Sequence, residues 1–257
     1  MERDAARLVE ETVWEGFRAY AAAPGVELCD TADLRRVLTG SGYEGLNGVL
    51  RAPADDVAAA LEPFRRRAVP MLWHVGPLEG PELDDALLAA GLRRYEEEPT
   101  MVAALTNEPP AADAPAGLAI RPVRDEDTLR TWVQVWTGST AATLPQRLVE
   151  LRAATGFAAG SAFEHLLGTL DGDPAATAAV AHGSSAAEIQ HVVTLEPARR
   201  RGIGTAMTIA ALELARGHGH TTAVLTASEL GVRLYEQLGF RCVGLVRRYF
   251  WHPSFDS

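Results

Sequence analysis

Apolar positions in the second half of the chain fall into short periodic blocks. Residues 118–123, Leu-Ala-Ile-Arg-Pro-Val, read as a strand. Residues 125–136 follow with Leu129, Trp132, Val135 and Trp136 on one face at helical spacing, and a second helix is predicted over 144–154. Residues 165–170 and 175–181 form a hairpin pattern around the turn residues Asp171-Gly172-Asp173-Pro174. A β-rich block over 189–195 ends before Pro197, and a helix opening at Gly202 and Gly204 runs to about Arg216. A buried-type strand over 223–225, a short helix over 230–238 and a strand region over 242–251 complete the pattern. Antiparallel strands followed by strand–helix–strand–helix–strand predict an α/β fold with a mixed sheet.

The first half repeats part of this more faintly. Leu87-Leu88-Ala89-Ala90-Gly91-Leu92-Arg93-Arg94-Tyr95 parallels Tyr235-Glu236-Gln237-Leu238-Gly239-Phe240-Arg241-Cys242-Val243 at a constant offset of 239 − 91 = 148. Each is a helix end, a glycine cap, a large apolar residue and a strand start, which fits either an internal repeat or a common local join. Between the halves, residues 106–117 hold Pro109, Pro110, Pro115 and a run of small residues, a composition that sustains neither helix nor central strand. The expected organisation is therefore an N-terminal part over 1–105, a linker over 106–117 and a C-terminal part over 118–257.

Composition narrows the functional classes. The 257 residues carry 34 acidic and 24 basic side chains, a net charge of −10. That balance argues against nucleic acid or an anionic membrane as main partner and favours cationic small molecules or basic peptides. No apolar run is long enough for a membrane helix, and the charged start Met1-Glu2-Arg3-Asp4 is unlike a signal peptide, so a cytoplasmic location is expected. Cys29 and Cys242 offer neither a disulfide framework nor metal-ligand spacing. His218 and His220, flanking Gly219, read as a helix-cap region, and His74, His165, His182 and His252 are isolated in sequence. No metal is expected.

Arg199-Arg200-Arg201-Gly202-Ile203-Gly204-Thr205 lies between a strand and a helix. Its glycines allow close backbone approach, and the first helical N–H groups have no partners within the helix, so pyrophosphate could dock there. A solvated basic run at a helix start is the plainer alternative. The segment is neither a P-loop nor a dinucleotide fingerprint, lacking Gly-Lys-Ser/Thr and a third glycine. Combined with Leu234-Tyr235-Glu236-Gln237-Leu238-Gly239-Phe240 downstream, and with Ile120-Arg121-Pro122 at the start, it resembles the GNAT superfamily of acyl-CoA-dependent N-acyltransferases. The resemblance covers residues 118–251. It implies the GNAT fold there and a second, degenerate GNAT-like half before it, where no glycine loop occurs and Leu87 stands in the place of Tyr235.

The resemblance also implies acetyl-CoA as co-substrate and a primary amine on a small molecule or peptide as acceptor. Backbone groups of Val193, Thr194 and Leu195 would hold the pantetheine arm. Arg199, Arg200, Arg201, Gly202, Ile203, Gly204 and Thr205 would hold the pyrophosphate, and Ser228 stands where the family often has a cofactor-contacting Asn. Tyr235 would protonate the departing thiolate. Read alone, it is a core tyrosine on a short helix.

Glu188 in Ala187-Glu188-Ile189 would be the base, or else a solvated carboxylate at a strand start. Strand alternation puts Glu188 and Gln190 on one face and Ile189 and His191 on the other, His191 buried against helices. A non-catalytic acyl-CoA sensor or scaffold is the alternative function. Trp132 and Trp136 are expected to pack in the core.

Overall fold

The computed structural model describes residues 2–105 and 114–256. Most of the expected linker, residues 106–113, thus lies outside the described residues. In the N-terminal part, helix α1 (Glu2–Ala19) precedes strands β1 (Glu27–Asp30), β2 (Arg35–Leu38) and β3 (Gly48–Arg51). Helix α2 (Val57–Arg67), β4 (Met71–Val75), α3 (Pro81–Ala89) and β5 (Arg93–Ala104) follow. The C-terminal part runs β6 (Leu118–Pro122), α4 (Glu126–Thr137), α5 (Gln146–Ala154), β7 (Phe163–Leu170), β8 (Asp173–His182) and β9 (Ala187–Thr194). It ends with α6 (Ile203–Gly217), β10 (Thr222–Thr226), α7 (Val232–Gln237) and β11 (Arg241–Trp251).

Local chemistry accounts for these boundaries. The Asp125 carboxylate accepts the Thr128 N–H at 2.7 Å and so caps α4, which Gly138 ends at φ 68°. In α6, Ile203, Met207, Ala211, Leu212 and Ala215 form one buried stripe. That stripe lies close to a β7–β8 surface made of Gly168, Ala176 and Ala178. A Cβ at Gly168 would come within 2.8 Å of the Met207 sulfur, so a larger residue there would have to displace that side chain. The repeated segments are structurally alike: Gly91 and Gly239 both sit at φ 88°, each between a helix and a long strand.

Those two long strands are exchanged. Among the described residues, eleven strands form one mixed sheet in the order β1-β2-β3-β4-β11-β5-β10-β9-β8-β7-β6. β11, from the end of the chain, pairs with β4 from Arg247↔Val75 to Trp251↔Met71. β5, from the N-terminal part, pairs with β10 from Thr222↔Ala104 to Thr226↔Thr100, and β5 and β11 pair with each other. Each half therefore finishes the other's sheet.

Helix α1 and the turn that follows it tie the halves further. Trp14, Phe17 and Tyr20 share a buried cluster with Trp132, Val149 and Phe163, while Val9 packs with Val102 and Val224.

Deleting residues 1–105 removes β5 and strips the partner from one edge of β10, together with the α1 side of the shared core. We expect the remainder to be insoluble or to lack cooperative unfolding in circular dichroism melts. A soluble fragment with a sharp transition would contradict this reading of the exchanged sheet.

Candidate active site

The site begins with a defect in β9. Its pairing with β8 runs Ala181↔Glu188, Val180↔Ile189 and Ala179↔Gln190, then slips so that Thr177 faces Val193. The extra residue is a β-bulge, and His191 within it takes φ 50°, a conformation costing a non-glycine residue about 1–3 kcal/mol. The Thr177 hydroxyl donates to the His191 carbonyl at 2.8 Å and holds the bulge. Beyond Glu188 the neighbouring strand is lost. β9 and β10 run parallel and pair only at Ala223↔Ala187 and Val224↔Glu188, so the two strands part from Ile189 onward.

The bulge corrects the expected strand alternation. Ile189 packs on the α6 side as predicted, but the His191 ring lies on the face of Glu188 and Gln190, 4.2 Å between centroids from Trp136. The Arg152 guanidinium donates to His191 Nε2, and burial together with the Arg152 charge pushes His191 well below the usual imidazole range. It is neutral and its lone pair is occupied, so it is unavailable as a base.

Glu188 is buried rather than solvated, at 7% exposure. The Gln190 side-chain amide donates to its Oε2, and Gly16 of α1 lets that helix come close, since a Cβ there would sit 3.5 Å from the same oxygen. Burial raises the carboxyl to about 7, against the opposing pull of the Gln190 hydrogen bond and the Arg248 and Arg152 charges. Tyr235, on α7, packs edge-on to Phe240 and is pushed up to about 12 by burial and by the Glu98 charge. Its phenol keeps its proton at neutral pH.

Glu188, Tyr235, Ser228 and Val193 line one cavity of about 460 Å3. Thr194 lies beside it, its hydroxyl 3.8 Å from where a Cβ on Gly204 would stand. The loop after β9 is shaped by Arg200 at φ 60° and Gly202 at φ 78°. Gly202 caps α6 without a side chain, so the first-turn N–H groups at Ile203, Gly204 and Thr205 keep their capacity for an external acceptor. Arg200 and Arg201 are exposed beside them, whereas Arg199 Nε is tied to the Thr194 carbonyl at 3.0 Å. Leu195 requires a correction. Its N–H donates to Ala175 O and its carbonyl accepts from Ala198 N, so both groups serve the fold and not the opened edge.

Sequence reasoning missed the far wall of the cavity, supplied by α1, the β2–β5 region and β11. Glu10, Tyr43, His74, Tyr95, Glu98 and Arg248 all face it. Burial, aided by Glu79, raises Glu10 to about 7, and its Oε1 is buried without a hydrogen bond. His74 is held down to about 3 by burial. The arginines there are already paired, Arg35 with Glu11 and Asp30, Arg51 with Glu11, and Arg248 with Glu96 and Glu98. Glu10 and Glu188 have no such ion-pair partner within 4 Å among the described residues. No local pattern marked these positions, because the strand exchange brings them in.

Residues 127–240 match the profile of the Acetyltransferase (GNAT) family. The fold resembles a GCN5-related N-acetyltransferase from Kribbella flavida, 19% identical over 96% of this chain and 95% of that one, with a TM-score of 0.67. It also resembles a functionally unknown conserved protein from Staphylococcus epidermidis, 12% identical over 89% and 94% of the two chains, TM-score 0.62. A tandem GNAT protein from the clavulanic acid biosynthesis pathway is 16% identical over 90% and 84%, TM-score 0.60. These likenesses span both halves. No curated protein matches the chain significantly.

The raised Glu188 carboxyl has a consequence for stability. The folded state binds its proton more tightly than the unfolded chain, so this group's contribution is present below its ordinary value near 4.5 and is lost as pH rises through about 7. A shift of that size corresponds to on the order of 3 kcal/mol. Glu188→Gln removes the titration. In paired urea denaturations the variant should gain on the wild type between pH 4.5 and pH 8; a difference independent of pH would contradict the burial of this carboxyl.

Proposed function

We propose, on the match of residues 127–240 to the Acetyltransferase (GNAT) family and the GNAT-like fold, that the protein moves an acetyl group from acetyl-CoA to a primary amine by direct attack in a ternary complex. The observation that carries this reading is the convergence of Glu188 and Tyr235 on one cavity at the mouth of the opened β9–β10 pair. The fit to the co-substrate rests on two features of the chain. One is the edge of β9 freed from β10, and the other is the side-chain-free cap of α6.

Acetyl-CoA supplies the activated thioester, and the protein's groups do the remaining work. The loop from Arg200 and the first N–H groups of α6, as far as Thr205, hold the pyrophosphate at the positive end of the helix dipole. Backbone groups of Val193 and Thr194 align the pantetheine arm, and Ser228 contacts it from the β10 side. A β9 N–H at the bulge meets the negative charge that develops on the carbonyl oxygen. Glu188 takes the proton from the attacking amine, a task suited to a carboxyl raised to about 7. Tyr235 gives its proton to the leaving sulfur, and burial keeps that proton in place until it is needed.

The acceptor is an amine carrying further positive charge. Every arginine lining the cavity is committed to a carboxylate, while Glu10 and Glu188 are left to meet a cation. This surplus of acid is local to the cavity and does not depend on the overall net charge.

Release of CoA thiol, followed with a disulfide reagent across a panel of amines, tests the proposal. Diamines and polyamines should be turned over in preference to neutral-tailed amines. Tyr235→Phe should lower kcat by about 10- to 1000-fold while acetyl-CoA affinity stays within a few-fold. Acetyl-CoA binding without thiol release for any amine would favour a sensor or scaffold, and an unchanged rate in Tyr235→Phe would remove that residue from the chemistry.

A further inference from the structure

We propose that Glu164, His182 and His218 form a binding site for a divalent transition-metal ion of the zinc class, at the end of the sheet opposite the glycine loop. The residues come from three elements: the start of β7, the end of β8 and the C-cap of α6. α6 is 15 residues long, which places the site about 22 Å from the Gly202 end of that helix. It is independent of the cavity that holds Glu188 and Tyr235.

The donor atoms are already gathered. Glu164 Oε1 lies 2.6 Å from His218 Nε2 and 3.3 Å from His182 Nε2, and all three atoms fall within 4.8 Å of one another. Ligands about 2.1 Å from a tetrahedral ion stand about 3.4 Å apart. The Glu164–His182 spacing meets that as it stands. His218, on the exposed C-terminal end of α6, must draw back a little from the carboxylate to admit the ion.

The surrounding contacts orient these ligands as a second shell does. Arg124 donates to Glu164 Oε2 and the Gly160 N–H to Oε1, each at 3.0 Å, which fixes the carboxylate. His182 Nδ1 lies 3.1 Å from His220 Nε2, with the two rings stacked at 14°. A proton on His182 Nδ1, donated to His220, leaves the Nε2 lone pair facing the cluster.

An ion pair of Glu164 with Arg124 and His218 would account for part of this arrangement. It leaves His182 unexplained. That side chain is nine-tenths buried, and its Nε2 points at Glu164 Oε1 while making no hydrogen bond. Two imidazoles and one carboxylate, with water as a fourth ligand, suit Zn2+ or its spectroscopic substitute Co2+. The ion would pin the C-terminal end of α6 to the β7–β8 hairpin.

The test uses the full-length, untagged protein dialysed against a chelator, titrated with ZnCl2 in a calorimeter and with Co2+ by visible absorption. One ion per chain at micromolar affinity or tighter is expected, with the d–d bands of a tetrahedral Co2+ site and a raised melting temperature on Zn2+ addition. His182→Gln and His218→Gln should each weaken binding more than 10-fold. His220→Ala, which touches only the second shell, should weaken it about 10-fold. Circular dichroism confirms that the variants are folded, and His218 lies at a helix end where substitution is tolerated. Absence of saturable binding by the wild type, or wild-type affinity in both ligand variants, overturns the proposal.

Discussion

Parallel strands β9 and β10 can part only because each has its hydrogen bonds elsewhere. A bare strand edge in a protein interior leaves costly unpaired backbone groups, yet here two adjacent strands keep contact over two residue pairs and then separate. β9 is secured on its other side by β8 from Ala187 to Thr194, and β10 by β5 along its whole length. β5 belongs to the other half of the chain. The opening that defines the site therefore depends on a strand supplied from outside the C-terminal half, and the exchange of β5 for β11 is as much a part of the active-site architecture as the bulge at His191.

The two halves share a plan and differ in chemistry. β3 and β4 repeat the β9–β10 geometry, running parallel and pairing only at Gly48↔Leu72 and Val49↔Trp73. The chain then reaches α2 through Pro53-Ala54-Asp55-Asp56, which puts two carboxylates at the positive end of a helix where the other half has Gly202-Ile203-Gly204. Carboxylates there repel a phosphate. Leu87, opposite in the repeat to Tyr235, is fully buried in the N-terminal core and has no proton to give. The N-terminal half has instead become a wall. Glu10, His74, Tyr95 and Glu98 line the cavity from that side, and Glu10 brings to it a buried carboxyl outside any ion pair among the described residues.

Much of this was legible in the sequence because it is local. The periodicity of 125–136 and 202–216, the turn at Asp171-Gly172 and the paired glycines 91 and 239 are all written within a few residues of the structure they specify. The glycine loop and Tyr235 were legible as a spaced pair of motifs. The rest was carried by distance. A bulge at His191 has no glycine to announce it, so parity set that ring on the wrong face. Leu195 looked like part of a free strand edge until Ala175 and Ala198 were found to use its backbone. Glu164 and His182 are isolated in the chain and meet His218 and His220 only when α6 is laid on the β7–β8 hairpin. Pattern reading resolves contacts a few residues apart, whereas strand exchange is fixed by pairing across more than 100 residues.

The central claim is that one opened strand pair with its glycine loop, and not its counterpart in the other half, receives the co-substrate. Calorimetric titration of acetyl-CoA into the intact protein measures this directly. The account predicts one molecule bound per chain with micromolar affinity, lost in Gly204→Glu, whose side chain would be forced between α6, Thr194 and Leu234. Two sites per chain, undiminished binding in the variant, or no binding to the wild type would contradict it.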